Sequence, residues 1–497
     1  CTLINDSYNN DPDSLRIALD FMVRRPNEEG RCRTLILSDM QQTGISDDLL
    51  YQQVAELVRK ASVETFIGVG EGICSQAVQL MKNIGAKCHF FPDTADLMTS
   101  QVFSELHDEV ILIKGARSFR FEDIVAQLEE QVHETILEVD LNAIVANLNH
   151  YRALMRPDVR MICMVKADAY GAGSVEVART LQDQGVDYLA VAVADEGVQL
   201  RQAGISTGIM IMNPEMTSFR TLFRYNLEPE VYSFRLLDAL IYAAEREGIK
   251  GFPVHIKLDT GMHRLGFDPL ADMPALVNRL QSQSAVLPRS VFSHFVGSDS
   301  DRFDAFSRVQ FERFTRGAEA LQQAYPHHVI LRHICNSAGI EHFPERQMDM
   351  CRLGLGLYGV DPRDNRMLHT VSTLKTTILQ LRHVPKEETV GYSRKGILTR
   401  DSVIAAIPIG YADGLNRHLG RGKCYCLVNG QKAPYVGNIC MDVAMIDVTD
   451  IDCKEGDSVE IFGEHLPVTV LSDVLDTIPY EVMTSVSGRV KKVYYQD

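Results

Sequence analysis

The sequence lacks the features that would point to a membrane, to secretion or to nucleic acid. It has no run of about 18 apolar residues, and it begins without the basic start and apolar core of a signal peptide. It also has no block of lysines and arginines, and its formal net charge is −16, so a positive surface for a phosphate backbone is missing. We therefore expect a cytoplasmic protein that binds neither a membrane nor nucleic acid.

Signatures of metal sites and disulfides are missing as well. The 11 cysteines are scattered, and the closest pair, Cys424 and Cys426, is one residue too close for a C-x-x-C knuckle. We expect reduced thiols and no metal site. What is present is the balance of a globular protein, with 45% hydrophobic and 23% charged residues, in a chain of 497 residues. Such a length is too great for one core and predicts about three domains.

Residues 1–133 alternate short apolar runs with helical patterns. The runs LILSDM, TFIGVGE, CHFFPD and EVILIKG are separated by helix-like stretches, which is typical of a small parallel α/β sheet. A charge run then follows, made of Glu129, Glu130, His133 and Glu134, and we interpret it as a solvated helix end or linker. It marks the predicted end of the first domain.

Two further domains follow. From ILEVDL onward, residues 134–367 repeat the βα rhythm in runs such as RMICMVKAD, YLAVAVAD, GIMIMNP, FPVHIKLD, SVFSHF and HHVILRHICN. About eight strand-like runs, each followed by a helix-like one, predict a (β/α)₈ barrel with its leading strand. In residues 368–497 the period shifts toward 2, with strands such as VIAAIPIG and VAMIDV and a turn at Asn429-Gly430, so a mostly β domain is predicted.

Active sites of such barrels lie at the carboxyl ends of the strands, which directs attention to Lys166 in MVKADAYG. A lysine at the end of the first barrel strand can form a Schiff base with an aldehyde cofactor, because partial desolvation exposes a nucleophilic amine. By position alone, however, a lysine at a strand end is usually a surface charge.

Residues 134–497 resemble the alanine racemases in motif after motif. The segment Lys166-Ala-Asp-Ala-Tyr170-Gly matches the cofactor-lysine motif of that family, which implies that Lys166 holds pyridoxal 5′-phosphate and that the Tyr170 hydroxyl bonds its phosphate. Ala172 departs from the family, since many relatives carry histidine there. The substrate implied is L- or D-alanine, which the family interconverts.

The segment KLDTGMHRLG is similar to the family segment that binds the substrate carboxylate. Its arginine, Arg264, would contact that carboxylate and the phenolic oxygen of the cofactor, a task suited to a permanently charged guanidinium. The family often carbamylates the lysine at the position of Lys257, which gives an anion that braces the arginine.

Two histidine-bearing segments match further strand ends of the family. The resemblance assigns His294 of VFSHF to a hydrogen-bond chain with the next arginine, and Ser337 of HICNSAG to the phosphate. His333 and Asn336 of the same segment are expected to support them. A lone histidine on an apolar strand is otherwise more often a satisfied core residue.

Arg352 in MCRLGLGLYG matches the arginine that the family places against the pyridine nitrogen. A guanidinium has only donors and a pKa above about 12, so it discourages protonation of that nitrogen, whereas a carboxylate would favour it. This choice suits racemisation and suppresses transamination. Gly354 and Leu355 match positions whose backbone amides cradle the phosphate.

Racemisation needs two groups on opposite faces of the substrate, since one base that returned its own proton would mainly regenerate the starting isomer. The resemblance implies that Tyr411 of PIGYADGL acts on the L face and Lys166 on the D face. A neighbouring cationic network is expected to favour the ionised form of the phenol: Arg264, His294 and Arg352.

The segment YVGNICMDV matches a loop that borders the substrate in the family. The Met441 backbone amide would lie near the substrate carboxylate with Asp442 beside it, and in relatives Tyr411 and Met441 reach the site from the other subunit, which implies a homodimer. Gly488 departs from some relatives, which are expected to place there a tyrosine that touches the phosphate.

The first domain resembles the C-terminal domain of Mur ligases, most closely that of the enzyme joining D-alanyl-D-alanine to the UDP-muramoyl tripeptide. The motifs are INDSYNNDPDSLRIAL, LILSDMQQTG and LIKGARSFRFE, with Asp11 and Ser38 departing from the family pattern. No G-x-x-x-x-G-K-[ST] loop occurs, and the glycines at 68, 70 and 72 lack its spacing and its lysine.

Because this phosphate-binding loop is missing, the residues given are not expected to act as a ligase. ATP and Mg²⁺ would be needed only by an intact ligase. Because the sequence begins at Cys1, within a motif and without a methionine, we expect a piece of a longer ligase–racemase fusion. Both activities belong to peptidoglycan synthesis.

Three alternatives stay open. A pyridoxal-barrel decarboxylase shares the domain order, although GYADG and Arg352 argue against it. A non-enzymatic pyridoxal-phosphate carrier would not need the β domain with Tyr411 and Met441. A racemase for serine or another small amino acid is not excluded by these motifs.

Overall fold

A computed structural model describes residues 2–6, 11–24, 32–40, 45–106, 109–128 and 134–496. The chain divides into two compact units, Cys1–Val132 and His133–Asp497. Of the charge run predicted as a linker, Glu129, Glu130 and His133 lie outside the described residues. Within the described part, no helix combines the length and the apolar composition needed to cross a membrane.

The first unit contains a five-stranded parallel sheet, as the alternating pattern predicts. Its strands are β1 (Thr2–Asn5), β2 (Arg33–Ser38), β3 (Thr65–Val69), β4 (Lys87–Phe91) and β5 (Val110–Lys114), in the order β1-β5-β2-β3-β4. Its helices are α1 (Pro12–Arg24), α2 (Asp47–Lys60), α3 (Glu71–Ser75), α4 (Ala77–Ile84), α5 (Thr94–Met98), α6 (Gln101–Ser104) and α7 (Phe121–Leu128). Leu35 and Leu37 pack into one core and Ile36 into another, so both faces of β2 are covered, as a parallel sheet requires.

The second unit begins with strand β6 (Ile136–Asp140) and continues into an eight-stranded parallel sheet. The strands of that sheet are β7 (Arg160–Met164), β8 (Tyr188–Val191), β9 (Gly208–Ile211), β10 (Glu228–Val231), β11 (Phe252–Lys257), β12 (Val286–Phe292), β13 (Leu331–His333) and β14 (Met350–Leu353). They follow the order β13-β12-β11-β10-β9-β8-β7-β14. The edge strands also approach each other, since the amide of Asp349 donates to the Arg332 carbonyl and that of Arg352 to the Cys335 carbonyl, each at 3.0 Å. The sheet is thus a nearly closed (β/α)₈ barrel, as predicted.

The helices of this barrel lie before or between its strands along the chain. They are α8 (Leu141–Leu154), α9 (Lys166–Tyr170), α10 (Ser174–Asp183), α11 (Ala194–Gln202), α12 (Phe219–Tyr225), α13 (Phe234–Arg246), α14 (Met273–Gln281), α15 (Asp304–Ala324) and α16 (Ser337–His342). Two barrel strands, β10 and β14, are not continuous apolar runs. Their sequences, EPEV and MCRL, contain charged residues that the fold buries inside the barrel.

The tail of the chain is mostly β, as predicted. Its strands are β15 (Ser372–Thr377), β16 (Gln380–Val384), β17 (Thr389–Val390), β18 (Gly396–Ile397), β19 (Ser402–Ile407), β20 (Tyr425–Val428), β21 (Gln431–Pro434), β22 (Ala444–Asp447), β23 (Ser458–Phe462) and β24 (Lys491–Tyr495). Helices α17 (Val468–Val474) and α18 (Pro479–Thr484) precede β24. The main sheet has the order β21-β20-β23-β15-β6-β24, so the leading strand β6 pairs with tail strands and not with the barrel.

Candidate active site

A cleft of about 800 Å³ opens at the carboxyl ends of the barrel strands. This is where catalysis occurs in this fold, and the volume lies in the usual range for small-molecule sites. The residues that the sequence predicts for a cofactor and substrate and that line this cleft are Lys166, Tyr170, Lys257, Arg264, His294, Asn336, Ser337, Arg352, Gly354 and Leu355. Segments separated by almost two hundred residues along the chain thus meet in one place.

Lys166 stands at the start of an unusual backbone turn. Residues 167–170 all have φ between 52° and 55°, the left-handed region, before the chain leaves at Gly171. Left-handed geometry costs roughly 1–2 kcal/mol for each non-glycine residue, so surrounding bonds must hold it. The Gly171 amide donates to the Ala167 carbonyl at 3.0 Å, and the Ser174 amide donates to an Asp168 oxygen at 2.8 Å.

The amine of Lys166 is half-buried in the cleft. Burial, and then the positive charge of Arg264, lower the pKa of this amine, while Glu196 acts in the opposite direction. A lowered pKa increases the fraction of neutral, nucleophilic amine at neutral pH. This is the property that a lysine needs to bond an aldehyde.

Two hydroxyl groups and a glycine form a small cradle beside Lys166. The Gly354 amide donates to Ser337 Oγ at 2.9 Å, and a Cβ added to Gly354 would lie 3.3 Å from the Tyr170 hydroxyl and 3.8 Å from Ser337 Oγ. The Tyr170 ring is held by Tyr358, at 4.5 Å between ring centroids. Hydroxyl donors around a side-chain-free gap are suited to an anion such as a phosphate.

Tyr480 also lines the cleft, and the sequence prediction missed it. Its ring lies 5.3 Å from that of Tyr170, and burial raises the pKa of its hydroxyl to about 12, although a hydrogen bond with the Leu355 backbone opposes this. Gly488, the position expected to hold a tyrosine in relatives, is not among the described lining residues, and a Cβ there would meet no atom within 4 Å. Tyr480 of α18, eight residues before position 488, therefore lines the cleft beside Tyr170.

Arg352 forms the buried floor of the cleft. Its guanidinium donates to His333 Nδ1 at 2.6 Å, to the Ser293 carbonyl at 2.6 Å, to the Ile334 carbonyl at 3.1 Å and to His294 Nδ1 at 3.2 Å. Burial lowers its pKa to about 10, which leaves the group charged at neutral pH. The side chain is only 3% exposed, so its orientation is fixed.

His294 differs from the cationic role expected for it. Burial, followed by the charges of Arg352, Lys257, Arg264 and Lys166, holds the pKa of His294 well below its usual range. The ring is therefore neutral and accepts a hydrogen bond from Arg352. It can orient this arginine, but it adds no positive charge to the site.

Lys257 lies deeper, beside a carboxylate that the sequence analysis missed. Its Nζ is 3.9 Å from Glu230 Oε2 and 4.2 Å from the centre of the Phe292 ring. Burial lowers the pKa of Lys257 to about 8, with Glu230 acting against this shift, and burial raises the pKa of Glu230. The sequence analysis missed Glu230 because it stands on β10, whose charged sequence does not have the apolar pattern of a barrel strand.

Arg264 stands at the exposed mouth of the cleft, after a loop organised by Asp259. One oxygen of Asp259 accepts from the amides of Gly261 and His263, each at 3.0 Å. Gly266 lets the loop pass close to the strand end, because a Cβ there would lie 2.5 Å from the Asp259 nitrogen. Among the described residues, no hydrogen-bond partner is recorded for the Arg264 guanidinium, which faces the cleft.

Tyr411, Met441 and Asp442 are not among the described residues that line the cleft. Tyr411 is 44% exposed and Met441 is 53% exposed, and their backbones are joined, since the Ala412 amide donates to the Met441 carbonyl at 3.0 Å. Asp442 accepts from Arg489 at 2.6 Å. Within one chain, these three residues are exposed and do not line the cleft.

Comparisons with known proteins agree with the geometry of the cleft. The family described as "Alanine racemase, N-terminal domain" matches residues 139–362, and "Alanine racemase, C-terminal domain" matches residues 371–494. "Alanine racemase 1" of Clostridium acetobutylicum is 36% identical over 371 residues, which cover 72% of this chain and 95% of that protein. The alanine racemase of Methanococcus maripaludis is 34% identical and covers 73% of this chain and 99% of its own length.

Solved structures give the same result. The alanine racemase of Clostridium difficile 630 has a TM-score of 0.69 at 33% identity and covers 73% of this chain and 96% of its own. That of Bartonella henselae, solved with covalently bound pyridoxal phosphate, has a TM-score of 0.66 at 30% identity and covers 73% of this chain and 99% of its own. Through its barrel and its β domain, the chain belongs to the alanine racemase family.

Proposed function

We propose that the second unit is a pyridoxal-phosphate-dependent alanine racemase that interconverts L- and D-alanine. The observation that carries this proposal is the presence of Lys166, with a lowered pKa, and the buried donor Arg352 in one cleft. An amine that can hold an aldehyde and a guanidinium that only donates are the two groups that distinguish such an enzyme from a generic barrel.

The residues of the cleft fit the cofactor. Lys166 would hold its aldehyde, and the gap at Gly354, with the hydroxyls of Tyr170 and Ser337, would hold its phosphate. Bound there, the cofactor supplies an electron sink next to the α carbon of the amino acid. Arg264, exposed and charged at the mouth, would bind the substrate carboxylate.

Arg352 would donate a hydrogen bond to the pyridine nitrogen. Because a guanidinium cannot accept, it leaves that nitrogen without a proton and limits how far the ring withdraws electrons. A moderate electron sink favours return of the proton to the α carbon over transfer of the amino group. The choice of Arg352 therefore favours racemisation over transamination.

The two proton-transferring groups would be Lys166 on the D face and Tyr411 on the L face. Since Tyr411 and Met441 stand together on an exposed surface of their own chain, we propose that they complete the cleft of a second copy. The enzyme would then be a homodimer with shared active sites. An exposed tyrosine held by backbone hydrogen bonds on a folded domain is suited to that use.

For the first unit we propose a Mur ligase C-terminal domain. Its three motifs and its parallel sheet support this proposal, as does the fully buried Lys114, which donates to Asp6 at 2.8 Å. Residues 7–10 and 41–44 of two motifs lie outside the described residues. The pairing would join a source of D-alanine to an enzyme that consumes its dipeptide in cytoplasmic peptidoglycan synthesis.

The proposal is tested by incubating the purified chain with pyridoxal phosphate and L-alanine and following D-alanine by chiral chromatography. We expect D-alanine from the wild type and none from Lys166→Ala. Cofactor absorbance without D-alanine would refute alanine as the substrate, and a parallel incubation with L-serine would show whether another small amino acid takes its place.

A further inference from the structure

A chain of buried hydrogen bonds runs from the cleft floor across the barrel. Arg352 meets His333 Nδ1 at 2.6 Å, His333 Nε2 meets Ser290 Oγ at 3.0 Å, Ser290 Oγ meets His255 Nδ1 at 2.7 Å, and His255 Nε2 meets Glu228 Oε2 at 3.0 Å. The five residues stand on β14, β13, β12, β11 and β10, one on each of five neighbouring strands. All five are buried, so water does not compete for these bonds.

The two ends of this chain determine its direction. Arg352 has only donors, so His333 must accept on Nδ1. Burial, and then the charge of Arg352, hold the pKa of His333 well below its usual range, so the ring is neutral and its one proton is on Nε2. That N–H donates a hydrogen bond to Ser290 Oγ. The Ser290 hydroxyl in turn donates a hydrogen bond to His255 Nδ1. His255 therefore donates from Nε2 to Glu228.

Glu228 accepts hydrogen bonds at the end of this hydrogen-bond chain opposite Arg352. Although burial by itself raises the pKa of Glu228, the hydrogen bond from His255, the charge of Arg289 and the hydroxyl of Tyr188 lower it overall. Tyr188 also donates to the same oxygen at 3.3 Å. Reversing the chain would place an N–H of His333 against the N–H groups of Arg352, which is a donor against a donor. One arrangement alone satisfies every group.

We infer that Glu228 is a positioning residue that acts on Arg352 through His255, Ser290 and His333. Arg352 donates its other hydrogen bonds to neutral carbonyls and to neutral His294. The chain links its guanidinium to a carboxylate, polarises the bonds between them and keeps one edge of the guanidinium occupied. Arg352 itself lines the cleft. This role rests on the proposed function, in which Arg352 faces the cofactor ring.

Glu228→Gln is the decisive variant, because it keeps the size and an acceptor oxygen but removes the charge. In the cofactor-free protein with ¹⁵N-labelled histidine, we expect both His255 and His333 to carry their proton on Nε2. In Glu228→Gln the Nε2 proton signals of both rings should move upfield, that of His333 included, although His333 does not touch residue 228. A local structural role would move only the His255 signal, and an unchanged His333 signal would overturn the inference.

The second readout uses the loaded enzyme. The measured quantity is the partition ratio, which is the number of racemisations for each conversion of the cofactor to its amine form. Glu228→Gln and Ser290→Ala should lower this ratio by about tenfold, with little change in KM for alanine. Unchanged partition in both variants would also overturn the inference. If the wild type fails to racemise at all, the proposed function is wrong. The NMR result still decides whether the chain of hydrogen bonds from Glu228 to Arg352 exists.

Two matched variants serve as controls in both readouts. Glu460→Gln removes the charge of another buried carboxylate, which accepts from backbone amides in the tail, and Ser472→Ala removes another buried serine hydroxyl. Neither group belongs to the chain of hydrogen bonds. We expect wild-type histidine signals and a wild-type partition from both, and a loss of the same size in either control would contradict the assignment.

Discussion

Arg352 and Arg264 face the same cleft but are held in opposite ways. Arg352 is buried and donates to two histidines and two carbonyls, whereas Arg264 is exposed, with no hydrogen-bond partner recorded among the described residues. A buried, fully bonded guanidinium has little freedom left to lose when a partner binds, while an exposed one can release and capture a small molecule. The difference separates a rigid floor suited to a resident cofactor from an open mouth suited to a substrate that leaves.

Secondary structure explains this contrast. The floor is built on strand ends, where neighbouring strands fix each side chain and where Arg352 meets His333. The mouth is a loop shaped by the Asp259 carboxylate and by glycine at 261 and 266. Strands give precise placement and loops give accessibility, so one cleft uses both.

The largest expected effect is that of Lys166→Ala, inside the cleft. Without the amine the cofactor has no covalent attachment and the D face has no base, so we expect at least a roughly 1000-fold loss of racemisation. The absorbance of the bound cofactor should change in parallel. Lys250→Ala, at an exposed lysine of the same barrel, should keep wild-type activity. A Lys166→Ala enzyme that kept more than about a tenth of the rate would contradict the assignment.

Replacing each arginine by lysine tests the contrast directly. Arg352→Lys loses several buried hydrogen bonds and should lower the free energy of unfolding of the second unit by about 3 kcal/mol. Arg264→Lys should leave the unfolding temperature unchanged and raise KM for alanine by about tenfold. Differential scanning calorimetry and initial rates distinguish the two effects. Equal destabilisation by both changes would show that the mouth is as rigid as the floor.

A pair of glycines tests the cradle. Gly354→Ala places a methyl group 3.3 Å from the Tyr170 hydroxyl, in the space proposed for the phosphate, and should raise the Kd for pyridoxal phosphate by about tenfold. At Gly488, where no atom lies within 4 Å, the same change should leave the Kd unaltered. Fluorescence titration of the cofactor-free protein measures both. Equal effects at the two positions would place the phosphate elsewhere.

A further expected effect concerns pH. Burial holds the pKa of His294 and of His333 well below the unfolded value of about 6.5, so the unfolded state binds more protons below that pH. Stability is therefore complete above about pH 6.5 and falls on acidification, by up to about 1.4 kcal/mol per pH unit for each histidine. Urea unfolding at pH 7.0 and pH 5.5 measures this.

The control for the pH effect is His327→Gln, which replaces an exposed histidine and should keep the pH dependence of the wild type. His333→Asn should flatten it. A wild-type protein that is equally stable at both pH values would contradict the neutral, buried state of these rings.

The apolar runs of the sequence predict the domain order, whereas most of the cleft residues, such as Lys166 and Asn336, were predicted from the resemblance to the alanine racemases, because position at a strand end does not distinguish a catalytic lysine from a surface lysine. The sequence could not show Glu228 or Glu230, since the charged strand β10 has no apolar pattern of its own. The left-handed turn at 167–170 also had no signal, because its residues have ordinary helical preferences. The position of Tyr480 in the cleft could not be predicted without knowing how α18 packs.

The two-base assignment is tested most directly by hydrogen exchange in D₂O. Tyr411→Phe, loaded with cofactor, should replace the α proton of D-alanine by deuterium, because Lys166 still acts on that face, while L-alanine keeps its proton and no racemisation occurs. The wild type should place deuterium at the α carbon of the D-alanine that it forms from L-alanine. Continued racemisation by Tyr411→Phe, or exchange of L-alanine as fast as D-alanine, would contradict the account.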